Sequence, residues 1–80
     1  MNDTCLILYL SSTAMHADAA RLRQAHIPCE PGKPPASVTG GSCAYALRFP
    51  ARYLSRMREL AVSGGGVYRQ IDGVWRRIHL

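Results

Sequence analysis

Acid, lysine, paired cysteine and long apolar runs are all scarce in this chain of 80 residues, and each scarcity removes a class of protein. Five Asp and Glu stand against ten Lys and Arg, a net charge of +5, and nine of the ten cations are arginine. Arginine's planar fork suits phosphate and carboxylate recognition. An acidic partner is one expectation; a basic surface that binds nothing acidic is the plain alternative. The longest apolar run near the start is Cys5 to Leu10, far short of the roughly 20 residues a membrane span needs. Asp3 sits where a secretory leader would carry basic charge, and no cleavage site follows, so no membrane partner and a cytoplasmic location are expected. Three cysteines, Cys5, Cys29 and Cys43, form no even set and no C-x-x-C pair. His16, His26 and His79 include no pair at i,i+4, which leaves no ligand set for a metal. The glycine runs lack a following Lys-Ser or Lys-Thr, so no P-loop is read. No spacing joins Ser37 or Ser42 to a histidine as a hydrolytic pair.

What is present reads as one small globular domain over 1–80, with 48% hydrophobic and 19% charged residues. Cys5 to Leu10 is apolar throughout and reads as a central strand buried on both faces. Ser11, Ser12 and Thr13 offer N-caps to a helix over about 14–25, with Met15, Ala19 and Leu22 on its apolar stripe and Asp18 and Arg21 on its surface. His26 ends that helix, Ile27-Pro28 breaks it, and Cys29-Glu30 begins a short second strand. Four prolines between 28 and 35 make the next segment extended. The third extended segment alternates, with Cys43, Tyr45, Leu47 and Phe49 on one face and Ala44, Ala46 and Arg48 on the other. Pro50 suits the first turn of a second helix over 51–62, with Tyr53, Leu54, Met57, Leu60 and Ala61 as its stripe and Ser63-Gly64-Gly65-Gly66 as its stop. Asp72-Gly73 is a type I′ hairpin signal. It pairs Ile71 with Val74, Gln70 with Trp75, Arg69 with Arg76, Tyr68 with Arg77 and Val67 with Ile78. The order β-α-β-β-α-β with a C-terminal hairpin extension suits an α/β, two-layer α+β sandwich of ferredoxin-like type.

Chemistry concentrates at Cys43. The segment Pro34 to Ser42 delivers one thiol to the start of the third strand through Gly40, Gly41 and Ser42. Consecutive backbone N–H groups in such a loop form an anion-binding concavity, and the thiolate is both an anion and the reactive form of cysteine. Lys33 and Arg48 are placed to assist electrostatically. The structural alternative is a strand-end cysteine that packs as a small hydrophobe. Cys29 is a candidate resolving thiol if the loop brings it near, and Cys5 reads as core.

These features resemble a known family. Ser-Thr closes the first strand region, an Ile-Pro follows the first helix, and a proline-rich loop leads to Ser37, Gly41-Ser42-Cys43 and Ala46-Leu47-Arg48-Phe49. From about Leu6 to Tyr68 the chain resembles the small selenium/sulfur carrier-like proteins. The resemblance implies that Cys43 carries a persulfide or perselenide, received from a donor protein and passed to an acceptor, with no bound cofactor and no turnover of its own. Ala36 and Ala44 stand where that family tends to have an arginine and a glycine.

A second expectation belongs to a different class: a non-catalytic interaction module that binds an acidic protein or nucleic acid through Arg52 and Arg56 on the second helix and Arg69, Arg76 and Arg77 on the hairpin, with Lys33 and Arg48 as further partner-binding candidates. Arg69 opposite Arg76 is a like-charge pair that something acidic must relieve. Tyr68 and Trp75 are able to stack bases, but packing on a helix or on a second copy, as a homodimer, is the plainer reading, and nucleic acid is the weaker partner. A third expectation is a small ligand held by the 31–42 loop.

Overall fold

The computed structural model describes residues 3–39, 44–60 and 66–78. The described elements are β1 (Thr4–Tyr9), α1 (Ser12–Gln24), β2 (Glu30–Gly32), α2 (Ala36–Thr39), β3 (Tyr45–Pro50), a 3₁₀ turn (Ala51–Tyr53) running into α3 (Leu54–Leu60), β4 (Gly66–Ile71) and β5 (Val74–Ile78). The strands form one sheet in the order β2-β3-β1-β4-β5, with every neighbouring pair antiparallel. This is a mixed α+β arrangement; the C-terminal hairpin expected above supplies the fifth strand, and the five-strand order as a whole differs from that of a ferredoxin-like sheet.

β1 occupies the centre, as its unbroken apolar run requires. Cys5, Ile7 and Tyr9 point to the helix-bearing face, where they join Leu47, Phe49, Val67 and, from the helices, Met15, Ala19, Leu22 and Met57. Leu6 is also fully buried although it points to the opposite face. Register explains this: Leu6 lies between Arg48 on β3 and Tyr68 on β4, whose long side chains flank it. Burial of these apolar side chains, about 1.5–3 kcal/mol each, is the main force holding the layers together.

α1 begins where the sequence reading placed its caps. The Ser11 hydroxyl accepts from the Ala14 N–H at 3.3 Å. At the other end Ala25 caps the helix and His26 adopts φ 61°. The N–H of Ile27 then reaches the Leu22 carbonyl at 2.9 Å, and that of His26 the Arg23 carbonyl at 3.0 Å. This is a Schellman closure with histidine where glycine is usual. It turns the chain so that Ile27 is buried against the core.

Other boundaries moved. Cys29 lies just before β2, which starts at Glu30 and continues through Pro31. The proline-rich segment is not wholly extended: the Pro35 carbonyl accepts the N–H groups of Val38 and Thr39 and closes the single turn of α2. Pro35 carries a φ already suited to a helical start. β3 begins at Tyr45, while Cys43, expected at its start, lies outside the described residues, and Pro50 ends it with φ −67° and ψ 140°, outside the helix. The residue after it is tied to β1 instead, through the Ala51 N–H and the Asp3 carbonyl at 2.8 Å. The second helix therefore starts as a 3₁₀ turn, and only Leu54–Leu60 is α-helical among the described residues. Met57 is buried on it, with Tyr53, Leu54 and Leu60 packed at the core's margin. Ala61, Val62 and Ser63-Gly64-Gly65, expected to extend and stop that helix, lie outside the described residues.

The hairpin has the register its turn dictates, from Ile71 opposite Val74 to Val67 opposite Ile78. Asp72 at φ 52° and Gly73 at φ 79° supply the two left-handed residues of a type I′ turn.

Candidate functional site

The segment expected to carry the reactive thiol falls between two described elements. α2 ends at Thr39 before it, and half-buried Ala44 leads into β3 after it. Gly40, Gly41, Ser42 and Cys43 themselves lie outside the described residues. Tyr45, the first residue of β3, pairs with Tyr9 and remains 41% exposed.

The other two thiols sit in the scaffold. Cys5 is fully buried in β1, and burial pushes its thiol up to about 11, with Asp3 also raising it and nearby Arg69 opposing. A thiol so placed is protonated at neutral pH and inert. Cys29 is half-buried, and its Sγ lies 3.8 Å from the Ala19 carbonyl of α1, to which it donates a weak bond. Glu30, next to Cys29, pairs with Arg48, whereas Ala44 lies beyond the opposite end of β3. Five residues of strand, roughly 16 Å, separate Ala44 from the Phe49 end where Cys29 lies. A disulfide needs Cα atoms within about 7 Å, so the placement of Cys29 does not support a resolving role.

Cys29 instead lines an open groove of about 290 Å³ with Thr4, Pro28, Glu30, Arg48, Phe49 and Pro50. The groove brings together one thiol, one carboxylate and one guanidinium, which sequence reading did not anticipate. The signal available was Pro28 and Pro50 ending two segments that the sheet makes neighbours.

The cationic residues do not gather on one face. Lys33 is exposed in the loop after β2. Arg48 is exposed on the helix-free face, opposite Glu30 and Leu6. Arg69 and Arg76 pair across the hairpin on the other face, in the row of Cys5. The like-charge cost of that pair is relieved within the molecule. Both carboxylate oxygens of Asp3 accept from Arg69, Oδ1 from Nε at 3.4 Å and Oδ2 from Nη2. The guanidinium lowers the Asp3 pKa, and Asp3 raises that of Arg69. Arg56 is within 3.8 Å of Glu59, and Arg52 lies in the 3₁₀ turn with its guanidinium 5.0 Å from the centre of the Tyr53 ring. The expected helical face joining Arg52 to Arg56 is therefore interrupted, because only Arg56 is in the α-helix.

One polar cluster is buried. Asp18, expected on the surface, is 2% exposed and accepts from the Tyr9 hydroxyl at 2.7 Å. Arg21 approaches it at 3.5 Å and also donates to the Leu60 carbonyl at the end of α3. Burial and the bond to Asp18 raise the Tyr9 pKa above its ordinary value. The cluster joins β1, α1 and α3, which identifies it as a structural tie. Among the described residues no three His, Cys, Asp or Glu side chains are grouped to hold a metal, and no helix is long and apolar enough to cross a membrane. Comparison with protein-family models, with curated proteins and with solved structures finds no match to this chain.

Proposed function

We propose that this protein is a sulfur or selenium carrier that holds a persulfide or perselenide on Cys43 and relays it between a donor and an acceptor protein. The observation that supports the reading is the division of labour among the thiols. Cys5 is sealed in the core with its pKa raised, and Cys29 is engaged with the Ala19 carbonyl. Cys43 is the cysteine that the sequence sets in a glycine-bearing loop.

The transfer needs no outside oxidant. The Cys43 thiolate attacks the outer sulfur of a donor persulfide; a new S–S bond forms on Cys43 as the donor's S–S bond breaks, and the donor cysteine leaves as a thiolate with the bonding electron pair. Loop N–H groups of Gly40, Gly41 and Ser42 would stabilise both the attacking thiolate and the terminal sulfur anion. As part of the same reading we take β1 to β4 with α1 and α3 as a ferredoxin-like unit to which β5 has been added. Its support is the antiparallel pairing of β1 with both β3 and β4, with both helices packed on one face. A cytoplasmic site of action belongs to the proposal as well.

The test is a Cys43→Ser variant incubated with a cysteine desulfurase and cysteine. It should keep the wild-type circular dichroism and acquire no sulfur, whereas Cys29→Ser should load as wild type. Sulfur on the Cys43→Ser protein would contradict the assignment.

A second reading, the non-catalytic interaction module, is favoured by one observation. Arg76 and Arg77 are exposed on the outermost strand and have no acidic partner among the described residues.

A further inference from the structure

The two rims of the sheet differ. β2 is three residues long and contains Pro31, which has no N–H to offer another strand. β5 is five residues long, has no proline, and lies at the rim with nothing paired to its outer side among the described residues. The two-residue turn fixes which groups face outward. Ile71 and Val74 exchange the first pair of hydrogen bonds, so Arg69–Arg76 and Val67–Ile78 exchange the next two. The N–H and C=O groups of Trp75 and Arg77 therefore point away from β4, spaced to receive another strand. Exposed Val74 and, across the turn, Ile71 add apolar surface at 53% and 44% exposure.

We propose that β5 is a docking edge for an extended acidic segment of a partner protein, which adds to the sheet as a sixth strand. The proposal rests on the interaction-module reading and not on Cys43. Main-chain pairing would give affinity and side chains would give choice. Arg77 on the helix-free face and Arg76 on the helix-bearing face would each meet a carboxylate of the incoming strand. Arg69 does not compete, because Asp3 already holds it. A second copy of the chain fits less well: the self-pairing that sets Trp75 opposite Arg77 puts Arg76 directly against its own counterpart, a destabilising like-charge pair. A nucleic acid would satisfy the arginines but not the outward main-chain groups, which match a polypeptide backbone.

Trp75 is the sole tryptophan and lies on this strand, so its fluorescence reports occupancy. The probe is a capped Val-Glu-Glu-Val-Glu-Glu-Val peptide titrated into the wild-type protein. Saturable binding is expected, at least about tenfold weaker when every Glu is replaced by Lys and about tenfold weaker with Arg77→Pro, which removes one outward N–H. Peptides N-methylated along one edge should lose binding while those methylated along the other edge keep it, a result that does not depend on how the proline variant folds. The edge proposal is overturned if N-methylation has no effect on either edge, if the Lys peptide binds equally well, or if only an oligo-dT strand binds. Binding weakened by Arg48→Glu but indifferent to N-methylation would overturn the edge while leaving an interaction module in place.

Discussion

Asp18 shows how much a single side chain can decide. It lies on the same helical stripe as Met15, Ala19 and Leu22, three residues after the first and four before the last, so the helix that buries those residues buries a carboxylate with them. The fold accommodates it with the Tyr9 hydroxyl and Arg21. Replacing Tyr9 by Phe removes the hydroxyl and leaves Asp18 short of a donor. We expect a loss of about 1–3 kcal/mol in chemical denaturation with secondary structure unchanged. Cys5 gives the molecule an alkaline limit. Its thiol titrates near 9 in the unfolded chain and is pushed to about 11 in the fold. Below pH 9 both states are protonated and its contribution is whole; as pH rises from about 9 to about 11 the unfolded chain releases the proton first and stability falls. Tyr9, raised above 10, adds in the same direction at higher pH. A Cys5→Ala protein should therefore lose less stability than wild type between pH 9 and 11, measured by denaturant midpoints.

At the scale of the element, the sequence was legible where one local rule acts alone. The hairpin register follows from Asp72-Gly73, and every expected pair is present. The Ser11 cap and the Met15, Ala19 and Leu22 stripe followed from helical spacing. Legibility failed where tertiary partners compete with local preference. Pro50 suits a helix start, yet the Ala51 N–H is taken by the Asp3 carbonyl, which holds Pro50 in the strand. Spacing alone pairs Asp18 with Arg21 on the solvent side, whereas Tyr9 is nine residues away in sequence and meets Asp18 only once β1 and α1 pack. The site was legible as residue types and not as an arrangement: Arg52 lies in a 3₁₀ turn beside Tyr53 while Arg56 is in the α-helix, and Arg69 is held by Asp3. The α1 closure carries its own test. His26 at φ 61° occupies a conformation that costs an L-residue roughly 1 kcal/mol and glycine almost nothing. His26→Gly should raise the thermal midpoint, less glycine's added unfolded-state entropy, while His26→Val should lower it.

At the scale of the whole molecule, two thiols, one buried tie and helices α1 and α3 serve a five-stranded sheet whose β5 has nothing paired to its outer side among the described residues. The proposed relay and the proposed docking edge would use different parts of the molecule. Its chemistry would sit on one residue, which makes the central claim accessible to one determination. Reduced wild-type protein is incubated with a cysteine desulfurase and cysteine, its intact mass is read, and the modified peptide is mapped. The account predicts one added, reducible sulfur atom per chain, localised to Cys43, with Cys5 and Cys29 unmodified. An unchanged mass together with slow alkylation of Cys43, or sulfur localised to Cys29, would contradict it.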